Sequence, residues 1–296
     1  MNIGDLLPEE SRVKACLSSH LAQELELARD LLSFGVMALK SASLDNSSLS
    51  HDSVVTVVGL YVKVTVTFRA ILHLSESGFD RSALPLSRSL YESCLNLVFL
   101  VRHRVSLFHF NDSKSSPKTP LQLHGKTLTP SFRTALYNAW CVLWDEKDAE
   151  SWKRTPGLRR AGKRVFKKLM NIDNPYVDQI GPAWEKWIRG KNTCVGLSIA
   201  DFAASLGRAF RTWHRSVYAG DSKSVHQSDM LDYLDLAEED AAFQPRWFTS
   251  PDSVRDVLHR AATIYLCCIE EMHKRFDFGV QSGHMIHRFA ARLNRV

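Results

Sequence analysis

The fold class of this chain depends on the conformation of one segment, Val54-Val55-Thr56-Val57-Val58-Gly59-Leu60-Tyr61-Val62-Lys63-Val64-Thr65-Val66-Thr67-Phe68. From Val62 to Phe68 it alternates strictly and is rich in β-branched residues, which by local propensity favours a strand. The apolar pattern continues through Leu74, however, and no turn signal appears before Gly78. A segment of about 25 residues is too long for a typical strand but ordinary for a buried helix. We therefore predict a helix here.

Helical periodicity extends outward from this segment in both directions. Glu9 to Lys40 carries leucines at steps of three and four, and Asp80 is placed to cap a core helix that reaches Val101. Further helices are predicted over residues 131–145, 157–170, 183–189, 198–218, 251–276 and 282–295, with a long loop over 111–130. We expect an all-α fold with a single multi-helix domain, residues 53–296, preceded by an N-terminal helical arm, residues 1–52.

The composition excludes several protein classes. Of the 296 residues, 45% are hydrophobic and 24% charged, which is typical of a globular protein and excludes bulk disorder. No uninterrupted apolar run approaches the roughly 20 residues of a membrane span, and no basic segment precedes an apolar run at the N-terminus. We expect a cytoplasmic protein without a membrane segment. The six scattered cysteines form no C-x-x-C pair and no zinc-site spacing, so we predict reduced thiols and no metal. The sequence contains no Walker loop and no dinucleotide-binding fingerprint, so we predict no cofactor.

A basic stretch points to an anionic partner. The net charge is +6, and one segment carries eight cations without an acid. The candidate nucleic-acid-binding residues share one side of a predicted helix: Arg159, Arg160, Lys163, Arg164, Lys167 and Lys168. Trp184 and Trp187 follow and could stack on the bases of single-stranded RNA. The alternative is a solvated helix face beside tryptophans that pack in the core.

The densest polar cluster lies near Tyr218, Ser222 and His226. If this segment is helical, these residues stand at i, i+4 and i+8 on one stripe, where a phenol, a hydroxyl and an imidazole can hydrogen-bond in sequence. A histidine is the natural general acid or base near neutral pH, and Arg211 or Arg215 could stabilise an anionic transition state. The alternative is that these groups satisfy one another at a helix junction.

Two further features are candidates for the same site. Arg88 and Glu92 form an i, i+4 pair in an otherwise apolar helix, which either braces the fold or lines a pocket. Arg208 and His214 match the Arg-x4-6-His spacing of helical RNA-cleaving folds. We predict that Arg88, Glu92, Tyr218 and His226 converge in space, because polar groups inside a core must find partners. His284 and His287 are more typical of a surface than of a metal site.

Three stretches together resemble a bacterial family, domain of unknown function 5677, over about residues 54–229. They are Arg69-Ala-Ile-Leu-His-Leu before Gly78-Phe79, then Leu86-Ser-Arg88-Ser-Leu-Tyr91-Glu92 before Asn96-Leu97, then Trp213-His214 before Tyr218, Ser222, His226 and Ser228. The resemblance implies an all-helical fold with Arg88, Glu92, Tyr218, Ser222 and His226 as signature positions. This architecture invites analogy to the HEPN (higher eukaryotes and prokaryotes nucleotide-binding) superfamily, many of whose members are RNases of toxin–antitoxin and anti-phage systems.

These features predict an effector of bacterial conflict or anti-phage defence, acting as a metal-independent RNase or a nucleotide-binding protein. His226 or His214 would act as general base, Arg88 or Arg211 would hold the phosphate, and Glu92 would orient the arginine. The partners would be RNA or a nucleotide, a neighbouring defence-system protein and a second copy of the chain. The alternative is a non-enzymatic helical sensor or scaffold that recruits a nucleic-acid or protein partner.

Overall fold

The computed structural model describes residues 6–42, 44, 49–105, 128–154, 175–189, 191–218, 234–236, 243–245 and 250–295. Within these ranges the α-helices are α1 Leu6–His20, α2 Ala22–Lys40, α3 His51–Glu76, α4 Asp80–Val101, α5 Pro130–Arg154, α6 Pro175–Ile188, α7 Ile199–Leu206, α8 Arg208–Trp213, α9 Pro251–Phe276 and α10 Val280–Leu293. A π-helical turn spans His214–Tyr218. Two three-residue strands, β1 Leu234–Leu236 and β2 Phe243–Pro245, pair antiparallel. The predicted all-α class is confirmed.

The helix predicted for the alternating stretch is confirmed by α3. Its buried side chains recur at steps of four and three: Val57, Tyr61, Val64, Phe68 and Ile71. Val55, Val62 and Val66 point to solvent. Packing of this helical stripe outweighs the strand propensity of the β-branched residues. By length and composition alone, α3 is also long and apolar enough to cross a membrane, a test that the core helix of a soluble protein passes as well.

The N-terminal segment differs from its prediction in one detail. We predicted one helix over 9–40, whereas the structure separates α1 from α2 at Leu21, which has φ −117° and ψ 25°. Just before the break, the hydroxyl of Ser19 donates to the carbonyl of Cys16 at 2.8 Å, and His20 Nδ1 lies 2.9 Å from the same oxygen. Side chains that bond to a nearby carbonyl compete with the helical backbone there.

The described residues form two compact units, one within residues 1–47, 58–97 and 213–296 and the other within 48–57 and 98–212. Helices α3 and α4 contribute residues to both. The arm helices α1 and α2 belong to the first unit, in which α2 packs against α9 and α10. The predicted boundary at residue 52 stays a prediction.

The core of the first unit is built on aromatic rings. Tyr61 and Phe68 of α3 stack against Tyr265 of α9, with ring centroids 6.3 and 4.5 Å away. Ser250 caps the start of α9 by accepting a hydrogen bond from the backbone N–H of Ser253. Asp277, in the left-handed region with φ 46°, ends the same helix. This tight link turns the chain into α10.

The second unit is organised around a buried arginine of α5. The guanidinium of Arg133 donates to the carbonyl oxygens of Phe99 and Arg102 and lies 5.6 Å from the Phe99 ring. These contacts explain how its charge is accommodated in a core. The helix predicted over 183–189 begins earlier than expected: the chain is helical from Pro175, and Gly181, with φ 74°, bends α6 instead of preceding it.

Candidate functional site

Helix α4 carries a polar stripe on an otherwise buried surface. Arg88 Nε donates to Glu92 Oε1 at 3.1 Å, and the Asn96 side-chain amide donates to the Glu92 carbonyl at 2.9 Å. Around this stripe Leu90, Cys94, Leu95 and Val98 are buried. The predicted Arg88–Glu92 pair therefore exists, and it holds the guanidinium in one orientation.

The pair is only partly removed from solvent. The Arg88 and Glu92 side chains are 21% and 39% exposed, although the Nη1 atom of Arg88 is buried. A fully buried pair costs about 3–5 kcal/mol to break by removing one partner, whereas exposed pairs are worth about 0–1 kcal/mol. For Glu92→Ala we therefore expect a loss of stability closer to that of an exposed pair than to that of a fully buried one.

Tyr91 brings a histidine to this side of α4. It stands at i+3 from Arg88, so both lie on neighbouring positions of one helix face. The Tyr91 and His214 rings are tilted at 37°, with centroids 6.4 Å apart. His214 is half-buried and its Nδ1 atom is buried. Burial, and secondly Cys94, raises the pKa of Tyr91, so its phenol stays protonated at neutral pH.

His214 begins the π-helical turn, a feature that the sequence analysis missed. We predicted a continuous helix over 198–218. In the structure α7 ends at Leu206, the following Gly207 has a φ of 131° that is accessible mainly to glycine, and α8 then widens into the turn. Arg260 of α9 donates to the carbonyl of Ser216 in this turn at 3.4 Å. Single π-helical turns are frequent at functional sites, because the extra residue redirects side chains.

The structure describes the side chains of three of the six predicted catalytic residues. Arg88 and Glu92 of α4 and His214 of the π-helical turn all belong to the first unit. Tyr218 ends the turn, but its side chain, like all of Ser222 and His226, lies outside the described residues. The convergence of His226 on Arg88 thus stays a prediction.

Arg211, the other candidate for the phosphate, is exposed on α8 in the second unit. Arg208, at the start of the same helix, is also exposed. Within the described ranges, no group of three His, Cys, Asp or Glu side chains is arranged to hold a metal ion. On this side of α4, Arg88 contacts the Glu92 carboxylate and Tyr91 contacts the His214 ring.

The predicted nucleic-acid-binding residues, Arg159, Arg160, Lys163, Arg164, Lys167 and Lys168, also lie outside the described residues. The tryptophans that follow them do not. Trp184 is buried against Phe132, and Trp187 Nε1 donates to the carbonyl of Val195 at 3.1 Å. Both tryptophans contact neighbours within the second unit.

Comparisons with known proteins place the chain in a family. Neither the curated proteins nor the solved structures contain a match. A family model, described as a family of unknown function (DUF5677), matches residues 54–242, which is 189 of the 296 residues. The matched region contains all six predicted catalytic positions. The resemblance noted over 54–229 is confirmed: the chain belongs to the family of unknown function DUF5677.

Proposed function

We propose that this protein is a metal-independent ribonuclease whose active site includes Arg88, Glu92 and His214. The observation that carries the proposal is the ring contact between Tyr91 and His214, at 6.4 Å between centroids, on the α4 face that also bears Arg88. A general base and a phosphate-binding guanidinium are thus carried by adjoining elements of one unit. These are the two groups that transesterification of RNA requires.

The reaction uses the ribose 2′-hydroxyl as nucleophile. With Nδ1 buried, Nε2 of His214 accepts the hydroxyl proton, and O2′ attacks the adjacent phosphorus. The P–O5′ bond breaks, the leaving oxygen takes a proton from a general acid or water, and the products end in a 2′,3′-cyclic phosphate and a 5′-hydroxyl. Arg88 binds the phosphate as its charge develops, and Glu92 orients Arg88.

The remaining predicted residues complete the proposal on sequence grounds. His226 is the second candidate base or the acid for the leaving oxygen, and Tyr218 and Ser222 are hydroxyl donors on the same segment. The six basic residues between Arg159 and Lys168 would hold the RNA backbone. Changing Lys163 and Lys167 to Glu is expected to weaken RNA binding and reduce its salt dependence. In this proposal, the RNase acts in the cytoplasm as a defence effector.

Purified protein in excess EDTA, incubated with one oligonucleotide made as RNA and as DNA, tests the chemistry. We expect cleavage of the RNA only, with cyclic-phosphate ends, because DNA lacks the nucleophile. His214→Ala and Arg88→Gln should each reduce the rate, the histidine change by about 10²–10⁴-fold. His287→Ala and Arg104→Gln remove exposed side chains of the same types and should leave the rate unchanged.

The outcome that refutes the proposal is equally specific. If both His214→Ala and Arg88→Gln cleave RNA at the wild-type rate, the cleavage comes from another group or from a contaminant. Cleavage of RNA and DNA at equal rates would exclude the 2′-hydroxyl as nucleophile. For His226→Ala, the cleavage rate and the melting temperature are measured together. A lost rate at an unchanged melting temperature indicates a catalytic imidazole, and a lowered melting temperature with the rate retained indicates one that only supports the fold.

A further inference from the structure

An apolar cavity lies in the first unit, outside the region matched by the family. Residues of α2, of α10 and of the link before α10 line an open cavity of about 760 Å³. Its lining is dominated by apolar side chains, namely Phe34, Met37, Ala38, Phe278, Val280, Met285 and Phe289. Small-molecule sites have volumes of about 300–1,000 Å³ and a mostly apolar lining. The size and lining of this cavity are those of a ligand site.

The cavity has a closed floor and an open mouth. Phe34 and Phe289 pack ring to ring at 5.4 Å between centroids, and Phe289 is buried. Met37 and Val280 line the same space but are 68% and 79% exposed. Clusters of exposed apolar side chains on a protein surface commonly mark an interaction site or a ligand-binding groove.

Two arginines of α10 give the cavity a positive edge. Arg288 and Arg292 stand one helical turn apart and both line the space. Arg292 Nη1 pairs with Asp30 Oδ2 at 3.1 Å, so one of the two positive charges is balanced. In the part of the chain that the structure describes, the polar contact of Arg288 is with Met285 Sδ at 3.9 Å, and no carboxylate pairs with it. The cavity therefore carries one unbalanced guanidinium.

We propose that this cavity binds a small amphipathic carboxylate of the fatty-acid class. The alkyl chain occupies the apolar space between Phe34, Met37 and Met285, and the carboxylate pairs with Arg288. A guanidinium matches a carboxylate through two parallel N–H···O bonds, which makes arginine well suited to this head group. The site shares no residue with Arg88, Glu92 or His214, so the proposal is independent of the ribonuclease activity.

Titration calorimetry with dodecanoate, below the concentration at which it forms micelles, tests the site on the full chain. We expect saturable binding of one molecule. Dodecanol, which keeps the chain and lacks the charge, should bind about 10–100-fold more weakly, since a hydrogen bond to a charged group contributes about 1.5–3 kcal/mol. Arg288→Gln should weaken dodecanoate binding by a similar factor and leave dodecanol binding unchanged.

Met37→Glu places a carboxylate at the mouth of the cavity and should abolish dodecanoate binding. Val66→Glu is the matched control, because Val66 is 60% exposed on α3 and does not line the cavity. Equal binding of dodecanoate to wild type, Met37→Glu and Val66→Glu would overturn the site. Equal binding of dodecanoate and dodecanol would overturn the ligand class, and absence of dodecanoate binding to wild type would overturn the proposal altogether.

Discussion

Two faces of α2 meet the rest of the first unit in opposite ways. At Gly35, a Cβ atom added to the backbone would lie 2.2 Å from the hydroxyl of Tyr265 and 3.0 Å from that of Tyr61. The helix backbone thus packs directly against the two tyrosine hydroxyls and leaves no room for a side chain. Tyr61 also donates to the Gly35 carbonyl at 2.9 Å. Two residues further along, which is about 200° around the helix, Met37 is 68% exposed at the mouth of the apolar cavity.

We call these the closed face, at Gly35, and the open face, at Met37. Burial of one face of α2 therefore does not require burial of the other. On the closed face an atom added at Gly35 must displace a neighbour, and the ionisable side chains of Tyr61 and Tyr265 are buried. On the open face the apolar side chains lack neighbours on one side, so changes there should alter ligand binding more than stability.

The largest expected effect is a loss of stability at alkaline pH, which arises on the closed face. Burial raises the pKa of the Cys268 thiol, and burial raises that of Tyr265 to about 12. Well below pH 8.5 these groups are protonated in both the folded and the unfolded protein, so they do not make the free energy of unfolding depend on pH. At higher pH the unfolded chain releases protons that the folded protein keeps, so stability falls by up to about 1.4 kcal/mol per pH unit for each group.

Urea unfolding from pH 7 to 11 measures this dependence. The free energy of unfolding should be flat near pH 7, decline above about pH 8.5 as unfolded thiols ionise and steepen above about pH 10, where unfolded tyrosines ionise. Cys268→Ala should lower stability at pH 7 and flatten the first part of the decline. A profile that is level to pH 10 in both proteins would contradict a closed, dry core here.

The next largest effect is that of Gly35→Ala. The added methyl group meets Tyr265 and Tyr61 inside contact distance, and overpacking of this kind costs about 1–3 kcal/mol. Gly59→Ala on α3 is the matched control, because a Cβ atom there has nothing within 4 Å. Helix propensity alone should make that variant more stable, by up to about 1 kcal/mol. Chemical denaturation that gave both changes the same sign would show that α2 is not closely packed at Gly35.

Tyr265→Phe should give a smaller loss, of about 1 kcal/mol, since it removes the hydroxyl that lies 3.2 Å from Thr65 Oγ1. The same hydroxyl is the atom nearest to the Cβ position of Gly35. In the Gly35→Ala background its removal should therefore cost less than in wild type, or even raise stability. A double-mutant cycle measures this coupling, and strictly additive losses would argue against the contact.

The sequence predicted the helices well where a long apolar period overrode local preference. The segment from Val54 to Phe68 shows why: its β-branched residues favour a strand locally, but only a helix buries Val57, Tyr61 and Val64 together. Breaks were harder to foresee. The separation of α1 from α2 and the end of α7 at Leu206 depend on single residues, Leu21 and Gly207, whose backbone angles no periodicity encodes.

The candidate site was predicted in its local part only. The Arg88–Glu92 pair follows from i, i+4 spacing within one helix, which sequence shows directly. The contact of Tyr91 with His214 joins residues 123 positions apart, and the π-helical turn that carries His214 has no sequence signature. The cavity lined by Met37 and Arg288 likewise requires α2 and α10 to pack side by side, which no pattern in either helix specifies.

The smallest expected effect tests the open face. Met37→Gln exchanges an exposed apolar side chain for a polar one of similar length, and surface changes of this kind stay within about 0.5 kcal/mol of wild type. Leu31→Gln is the comparison, because Leu31 is fully buried one turn before Gly35 on the closed face, and a polar amide there loses its hydration and the leucine packing. Its loss should exceed about 2 kcal/mol, near the lower bound for truncating a buried leucine. Parallel melting curves decide the matter: if Met37→Gln melts as far below wild type as Leu31→Gln does, Met37 is packed in solution and the cavity is closed to ligands.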